Sequence, residues 1–116
     1  MGRELSRHEL IVEASAAVDS LLEVSSFGDR RRYDDDKVFR YAVAYAWLRL
    51  AEPLCRLVTR HLVGEETRRA WSGMCGLRNI LAHERDEDIN YLPLWSDLTM
   101  KMERTVAHLD RLLLAE

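Results

Sequence analysis

Apolar residues recur at intervals of three and four along most of this chain, and this spacing restricts its fold more than any other feature. Only 5 glycines and 2 prolines interrupt the pattern in 116 residues, which favours long helices over the short strands of a sandwich or barrel. We therefore predict an all-α fold, with one helical domain over residues 1–116 arranged as an antiparallel four-helix bundle.

The first two helices are predicted over residues 5–24 and 37–63. The segment SSFGD at 25–29 ends the first helix. Pro53 should kink or divide the second helix, because proline has no N–H to donate to the carbonyl one turn back. The residues of the second helix at core spacing are Val38, Tyr41, Ala42, Tyr45, Leu48, Leu50, Leu54, Leu57 and Val58.

The segment RRRYDDDK at 30–37 joins these two helices. Its three arginines resemble a phosphate-binding patch, but the three aspartates beside them largely cancel their charge. We interpret the segment as a solvated charge run. Asp34 or Asp35 is expected to cap the second helix, since a carboxylate accepts hydrogen bonds from free N–H groups at a helix N-terminus.

The third and fourth helices are predicted over residues 66–83 and 92–115, joined by the polar segment ERDEDIN at 84–90. Six residues of the last helix should face inward: Leu94, Leu98, Met102, Val106, Leu109 and Leu113. Gly73 and Gly76 lie inside the predicted third helix, where each costs about 1 kcal/mol relative to alanine. Their spacing predicts a close helix–helix contact, either inside the bundle or between two copies of the chain.

The net charge of −3 argues against a surface that coats nucleic acid globally, although it does not exclude a local basic site. Cys55 and Cys75 have no partner at zinc-binding spacing, so we expect two buried free thiols in a reducing cytoplasm. No apolar run approaches the roughly 20 residues that span a bilayer, so no membrane partner is expected. Nothing resembles a metal-binding motif, and no cofactor or metal is predicted.

Arg78, Asn79, His83 and Arg85 stand together at the end of the third helix and just beyond it. Arginine binds a phosphate through two hydrogen bonds, and histidine can act as acid or base near neutral pH. RNA carries its own nucleophile, the 2′-hydroxyl, so such a site needs only proton transfer and charge stabilisation. The alternative is a helix end at which basic side chains stabilise the C-terminal dipole.

The spacing of Arg78 and His83 is not specific by itself. Arg3 and His8, and Arg56 and His61, stand at the same interval, and we interpret both of these pairs as solvent-facing. Five residues span about 140° of a regular helix, so Arg78 and His83 cannot point the same way along one helix. They converge only if the last turn is frayed or if a second chain supplies half of the site.

The segment WSGMCGLRNILAHER at 71–85, followed by INYLPLW at 89–95 and a final helix, resembles the HepT-like proteins of the HEPN superfamily. Glu52 also falls where that family tends to carry a glutamate. The resemblance implies a homodimeric helical bundle whose Arg-x4-His motifs face one another in a metal-independent ribonuclease site. Arg78 and His83 would be the catalytic pair, and Asn79 would support them.

The resemblance also implies a cytoplasmic toxin of a type II toxin–antitoxin system, with RNA as substrate and a minimal nucleotidyltransferase as antitoxin. Many relatives carry, two residues after the histidine, a tyrosine that the antitoxin can adenylylate. This chain has Arg85 there, and the next tyrosine is Tyr91. Three alternatives remain: Arg85 adds an RNA contact, the antitoxin neutralises the protein by binding alone, or the chain is a diverged copy without an antitoxin of this kind. A catalytically inactive module that binds RNA, a nucleotide or a protein partner is the alternative function.

Overall fold

The computed structural model describes residues 4–115, apart from the side chain of Thr99. These residues form helices and connections without any strand, which confirms the predicted all-α class. A short 3₁₀ turn at Asp86–Asp88 accompanies six α-helices: α1 (Arg7–Ser25), α2 (Arg30–Asp35), α3 (Lys37–Thr59), α4 (Glu65–Ala70), α5 (Met74–His83) and α6 (Leu92–Leu114).

The charged segment after α1 forms the extra helix α2. Asp29 caps it by accepting a hydrogen bond from the backbone N–H of Arg32 at 2.9 Å. Arg30 and Asp34 then form an ion pair of 3.0 Å one turn apart on its exposed side. The cap of α3 is Asp36, not Asp34 or Asp35, because those two aspartates belong to α2.

Helix α3 continues through Pro53, so of the two expected effects of this proline, a kink or a division, the division is excluded. Pro53 is fully buried among the leucines of the core, and this packing offsets the lost backbone hydrogen bond. The predicted inward face of α3 is correct for Leu50, Leu54 and Leu57, which are buried. It is wrong for four exposed residues: Val38, Tyr41, Ala42 and Tyr45. These four lie where no other helix covers α3 completely.

Helices α1, α3 and α6 surround the main core, and α5 lies along α3. The indole N–H of Trp47 donates to the carbonyl of Leu94 at 2.9 Å, and the hydroxyl of Tyr33 donates to the carbonyl of Tyr91. The first contact fixes the start of α6 against α3, and the second fixes it against α2. Helix α6 buries Leu94, Leu98, Met102 and Leu109 as predicted, although Leu113 is 37% exposed. No described helix is both long and apolar enough to cross a membrane.

The predicted third helix is two helices, α4 and α5, separated by a turn at residues 71–73. Trp71 is buried at this turn, and Gly73 forms the N-cap of α5 without a capping side chain. Glycine favours a helix boundary over a helix interior. Helix α5 buries only Met74 fully, so it is a short helix on the surface of the bundle.

A disulfide joins Cys55 of α3 to Cys75 of α5, with their Cα atoms 4.8 Å apart. The prediction of two free thiols was therefore wrong. The sequence shows no Cys-x-x-Cys pair, and the antiparallel pairing of α3 with α5 is what brings the two residues together. The bond attaches the helix that carries Arg78 and His83 covalently to the core helix.

Replacing both cysteines by alanine should lower the free energy of unfolding by roughly 3 kcal/mol, because the disulfide closes a loop between residues 20 positions apart. Urea denaturation with and without dithiothreitol measures this difference. The reductant should destabilise the wild-type chain and leave the Cys55→Ala/Cys75→Ala variant unchanged. A wild-type protein that reacts with two equivalents of a thiol reagent before reduction would contradict the disulfide.

Candidate functional site

Arg78 and His83 lie on α5, which is a regular helix as far as His83. The backbone N–H of Glu84 still donates to the carbonyl of Ile80 at 3.0 Å, so the last turn is not frayed. The two side chains therefore leave the helix about 140° apart. One copy of the chain does not bring them together, and the frayed-turn alternative is excluded.

The side chains of this motif differ in their surroundings. Arg78 is half-buried, and its Nε donates to Oδ1 of Asn79 at 3.2 Å. Asn79 and His83 are exposed. Within residues 4–115, Arg78 forms no ion pair with a carboxylate, and His83 has neither a hydrogen bond nor an ion pair. The terminal guanidinium nitrogens and the imidazole are thus available to an anionic ligand.

Arg85 is not part of the same arrangement. Its guanidinium pairs with Asp88 at 3.2 Å and with Glu87 at 3.5 Å, both in the acidic connection that follows α5. All three side chains are largely exposed, so these ion pairs contribute little to stability. The predicted contact between Arg85 and RNA would have to compete with two carboxylates.

A hydrogen-bonded cluster that the sequence did not predict attaches the acidic connection to α3. The hydroxyls of Tyr41 and Tyr91 each donate to the carboxylate of Asp86, at 2.7 Å. The Tyr91 hydrogen bond, followed by that of Tyr41, lowers the pKa of Asp86. Burial raises the pKa of Tyr91, and the adjacent Asp86 raises it further. No motif joins these residues, because Tyr41 lies far from the other two in sequence.

Tyr91 is the first tyrosine after the motif, and this cluster constrains its hydroxyl. Besides the bond to Asp86, its ring lies below the guanidinium of Arg40, 5.6 Å from the ring centroid. Its backbone carbonyl accepts the hydrogen bond from Tyr33. Modification of the Tyr91 hydroxyl would therefore break a contact that holds the connection in place.

The pair with the same spacing at Arg56 and His61 occupies a different setting. His61 follows the end of α3 with a positive φ of 54°, and its Nδ1 lies 2.8 Å from the guanidinium of Arg68. Arg56 pairs with Glu52 at 3.8 Å. Arg56 and His61 are both exposed, as predicted, and this pair provides a matched control for Arg78 and His83. Arg3 of the remaining pair lies outside the described residues.

Gly73 and Gly76 do not form a close contact inside the chain. A Cβ atom built on either glycine meets nothing within 4 Å. Both glycines instead line a groove between α5 and the start of α6, with Trp47 at its floor. The intramolecular form of the predicted glycine contact is therefore wrong, and the surface is open.

The described residues contain no group of three or more histidine, cysteine, aspartate or glutamate side chains placed to hold a metal ion. Comparison with protein-family models, curated proteins and solved structures finds no match to this chain. The resemblance to HepT-like proteins therefore depends on the motif residues alone.

A second histidine, His108, lies buried where α4 meets α6. Its Nδ1 is 2.8 Å from the hydroxyl of Thr67 and 2.9 Å from the guanidinium of Arg111. Its ring also contacts the edge of Trp71, with centroids 5.9 Å apart. Burial lowers the pKa of His108, and the positive charge of Arg111 lowers it further. This histidine supports the turn before α5 through its contact with Trp71.

The lowered pKa of His108 predicts an acid-sensitive fold. The unfolded chain binds a proton at His108 more readily than the folded chain does. The stability that neutral His108 gives the fold is therefore complete above its ordinary pKa of 6.5. It is lost as the pH falls below 6.5 towards the lowered pKa of the folded state. His108→Gln should flatten the decline in melting temperature between about pH 7.5 and 5.5. Thermal unfolding across this range measures the slope, with His61→Asn as the control. Equal slopes for wild type and His108→Gln would contradict the assignment.

Proposed function

We propose that the chain is a metal-independent endoribonuclease whose site forms between two copies, each providing an Arg-x4-His motif. The proposal depends on the placement of Arg78, Asn79 and His83 on one regular surface helix. Within residues 4–115, neither Arg78 nor His83 forms an ion pair with a carboxylate. The resemblance to HepT-like toxins adds the four-helix bundle, with α1, α3, α5 and α6 as its helices, and the cytoplasm as the site of action.

The chemistry needs no group beyond these side chains and the RNA. The imidazole of His83 removes the proton from a 2′-hydroxyl, and the oxygen attacks the adjacent phosphorus. The bond from phosphorus to the 5′-oxygen breaks, and a protonated imidazole returns a proton to that leaving oxygen. The guanidinium of Arg78 stabilises the negative charge that develops on the phosphate oxygens. The products are a 2′,3′-cyclic phosphate and a free 5′-hydroxyl.

The homodimer follows from the angle between the two side chains. With Arg78 and His83 about 140° apart on α5, the phosphate bound by Arg78 of one copy must be reached by His83 of the other. Asn79 accepts the Nε–H of Arg78 and so orients the guanidinium. It is a positioning residue in this proposal.

The proposed partner is a minimal nucleotidyltransferase antitoxin, as the resemblance implies. Its mode of inhibition differs from that of relatives with a tyrosine after the motif, because Arg85 has no hydroxyl to modify. The Tyr91 hydroxyl is bound to Asp86. Inhibition by binding rather than by adenylylation fits both observations.

The second candidate is an inactive module that binds RNA, a nucleotide or a protein. The acidic connection after α5 supports this candidate. There Glu87 and Asp88 form ion pairs with Arg85, two residues after His83. Repulsion between these carboxylates and a phosphate backbone would weaken RNA binding at that end of the motif. Such a module would bind its ligand without turnover.

Purified protein should cleave RNA in the presence of EDTA and leave 2′,3′-cyclic phosphate ends. His83→Ala should lower the rate by at least about 100-fold, the scale of general acid–base catalysis. Gel analysis of end-labelled RNA measures both results, and circular dichroism checks that the helices remain. RNA binding without cleavage would favour the inactive module.

The matched control is His61→Asn, because His61 has the same spacing from an arginine and asparagine tolerates its positive φ. This variant should cleave RNA at the wild-type rate. Complete loss of wild-type cleavage in EDTA would contradict the metal-independent mechanism. Equal activity of His83→Ala and wild type would contradict the site.

A further inference from the structure

The groove between α5 and the start of α6 is concave and mostly apolar, with a volume of about 670 Å³. Trp47 and Leu94 form its floor, and both are buried by the helices around them. Leu77 and Ile80 on α5 form one wall, and Ile80 remains 44% exposed. The groove exists because α5 packs along α3 and not along α6.

The shape of the groove suits a helix. Its α5 wall is ten residues long, about 15 Å, which matches the two to three turns of a docked amphipathic helix. Gly73 and Gly76 stand along this wall with nothing within 4 Å of a built Cβ. Glycines at such positions allow another helix backbone to approach closely.

The charges around the groove indicate the charge that its partner should carry. Three carboxylates line it, those of Glu84, Asp88 and Asp97, against one ammonium group, that of Lys101. Lys101 is itself paired with Asp97 at 3.2 Å, and Asp88 is paired with Arg85 at 3.2 Å. The connection at 84–88 still carries four carboxylates against this one guanidinium. An acidic rim attracts a basic partner and repels the phosphate backbone of RNA.

A second copy of this chain does not meet these requirements. In a two-fold dimer through the groove, the same surface would face itself, so the acidic rim of one copy would oppose the acidic rim of the other. Like charges placed face to face across an interface are unfavourable.

We propose that this groove binds an amphipathic helix of another protein, one with apolar side chains at helical spacing and lysine or arginine at its flanks. The apolar side chains would enter between α5 and α6 above Trp47. The basic flanks would pair with Glu84 and would compete with Arg85 for Asp88. This inference does not depend on the ribonuclease activity.

The test is a selection from a displayed library of helical peptides of about 16 residues, randomised at apolar and flanking positions. The wild-type chain is the target, and Gly76→Leu is the counter-selection. Leucine at position 76 should fill the groove without disturbing the fold, since its Cβ meets nothing and leucine favours a helix over glycine. Selected peptides should carry apolar residues at i, i+3 or i+4 and i+7, with basic flanks.

Fluorescence anisotropy with one synthetic peptide from the selection then measures affinity. Gly76→Leu should weaken binding about tenfold or more, as should exchange of the basic flanks for glutamate. Gly64→Leu is the matched control, because Gly64 is equally open and lies outside the groove, and it should bind as wild type.

Three results would overturn the proposal. One is a selection that returns no helical pattern, or one with acidic flanks. Another is equal affinity of the peptide for wild type and Gly76→Leu. The last is dissociation of an unliganded oligomer by Gly76→Leu in sedimentation, which would make the groove an interface between copies of this chain.

Discussion

The covalent bond between Cys55 and Cys75 fixes the helix on which every functional assignment depends. Helix α5 is short, begins at a glycine without a capping side chain and fully buries only Met74, so its own sequence stabilises it weakly. Attached to α3, it presents Arg78 and His83 on a rigid element. In the reducing cytosol of the proposed function the same cysteines would be thiols, and α5 would be held to α3 by packing alone.

The connection after α5 is fixed by other means. Tyr41 and Tyr91 both donate to Asp86, while Trp47 and Tyr33 bind the backbone at the start of α6. These contacts hold the start of α6 against α2 and α3 and leave a gap between α6 and α5. The same contacts therefore create the acidic groove, which begins next to His83, since Ile80, Leu81 and Glu84 all line it.

The sequence predicted the helical class, the last helix and the inward residues Leu94 and Leu109, because local spacing determines them. It left open whether Pro53 kinks or divides α3, and it did not predict that two cysteines meet, because both depend on packing between distant segments. The angle between Arg78 and His83 followed from helix geometry alone. The structure adds that the last turn is regular, which excludes a site within one chain.

The central claim is that Arg78 of one copy acts with His83 of another, and mixing inactive variants tests it directly. Arg78→Ala and His83→Ala are purified separately, each without activity, and then unfolded and refolded together in equal amounts. About half of the refolded dimers would contain one copy of each variant. In such a dimer, one of the two sites has both Arg78 and His83 intact. RNA cleavage should therefore return to about a quarter of the wild-type rate. A mixture that stays inactive, although mixed dimers are present, would contradict the shared site.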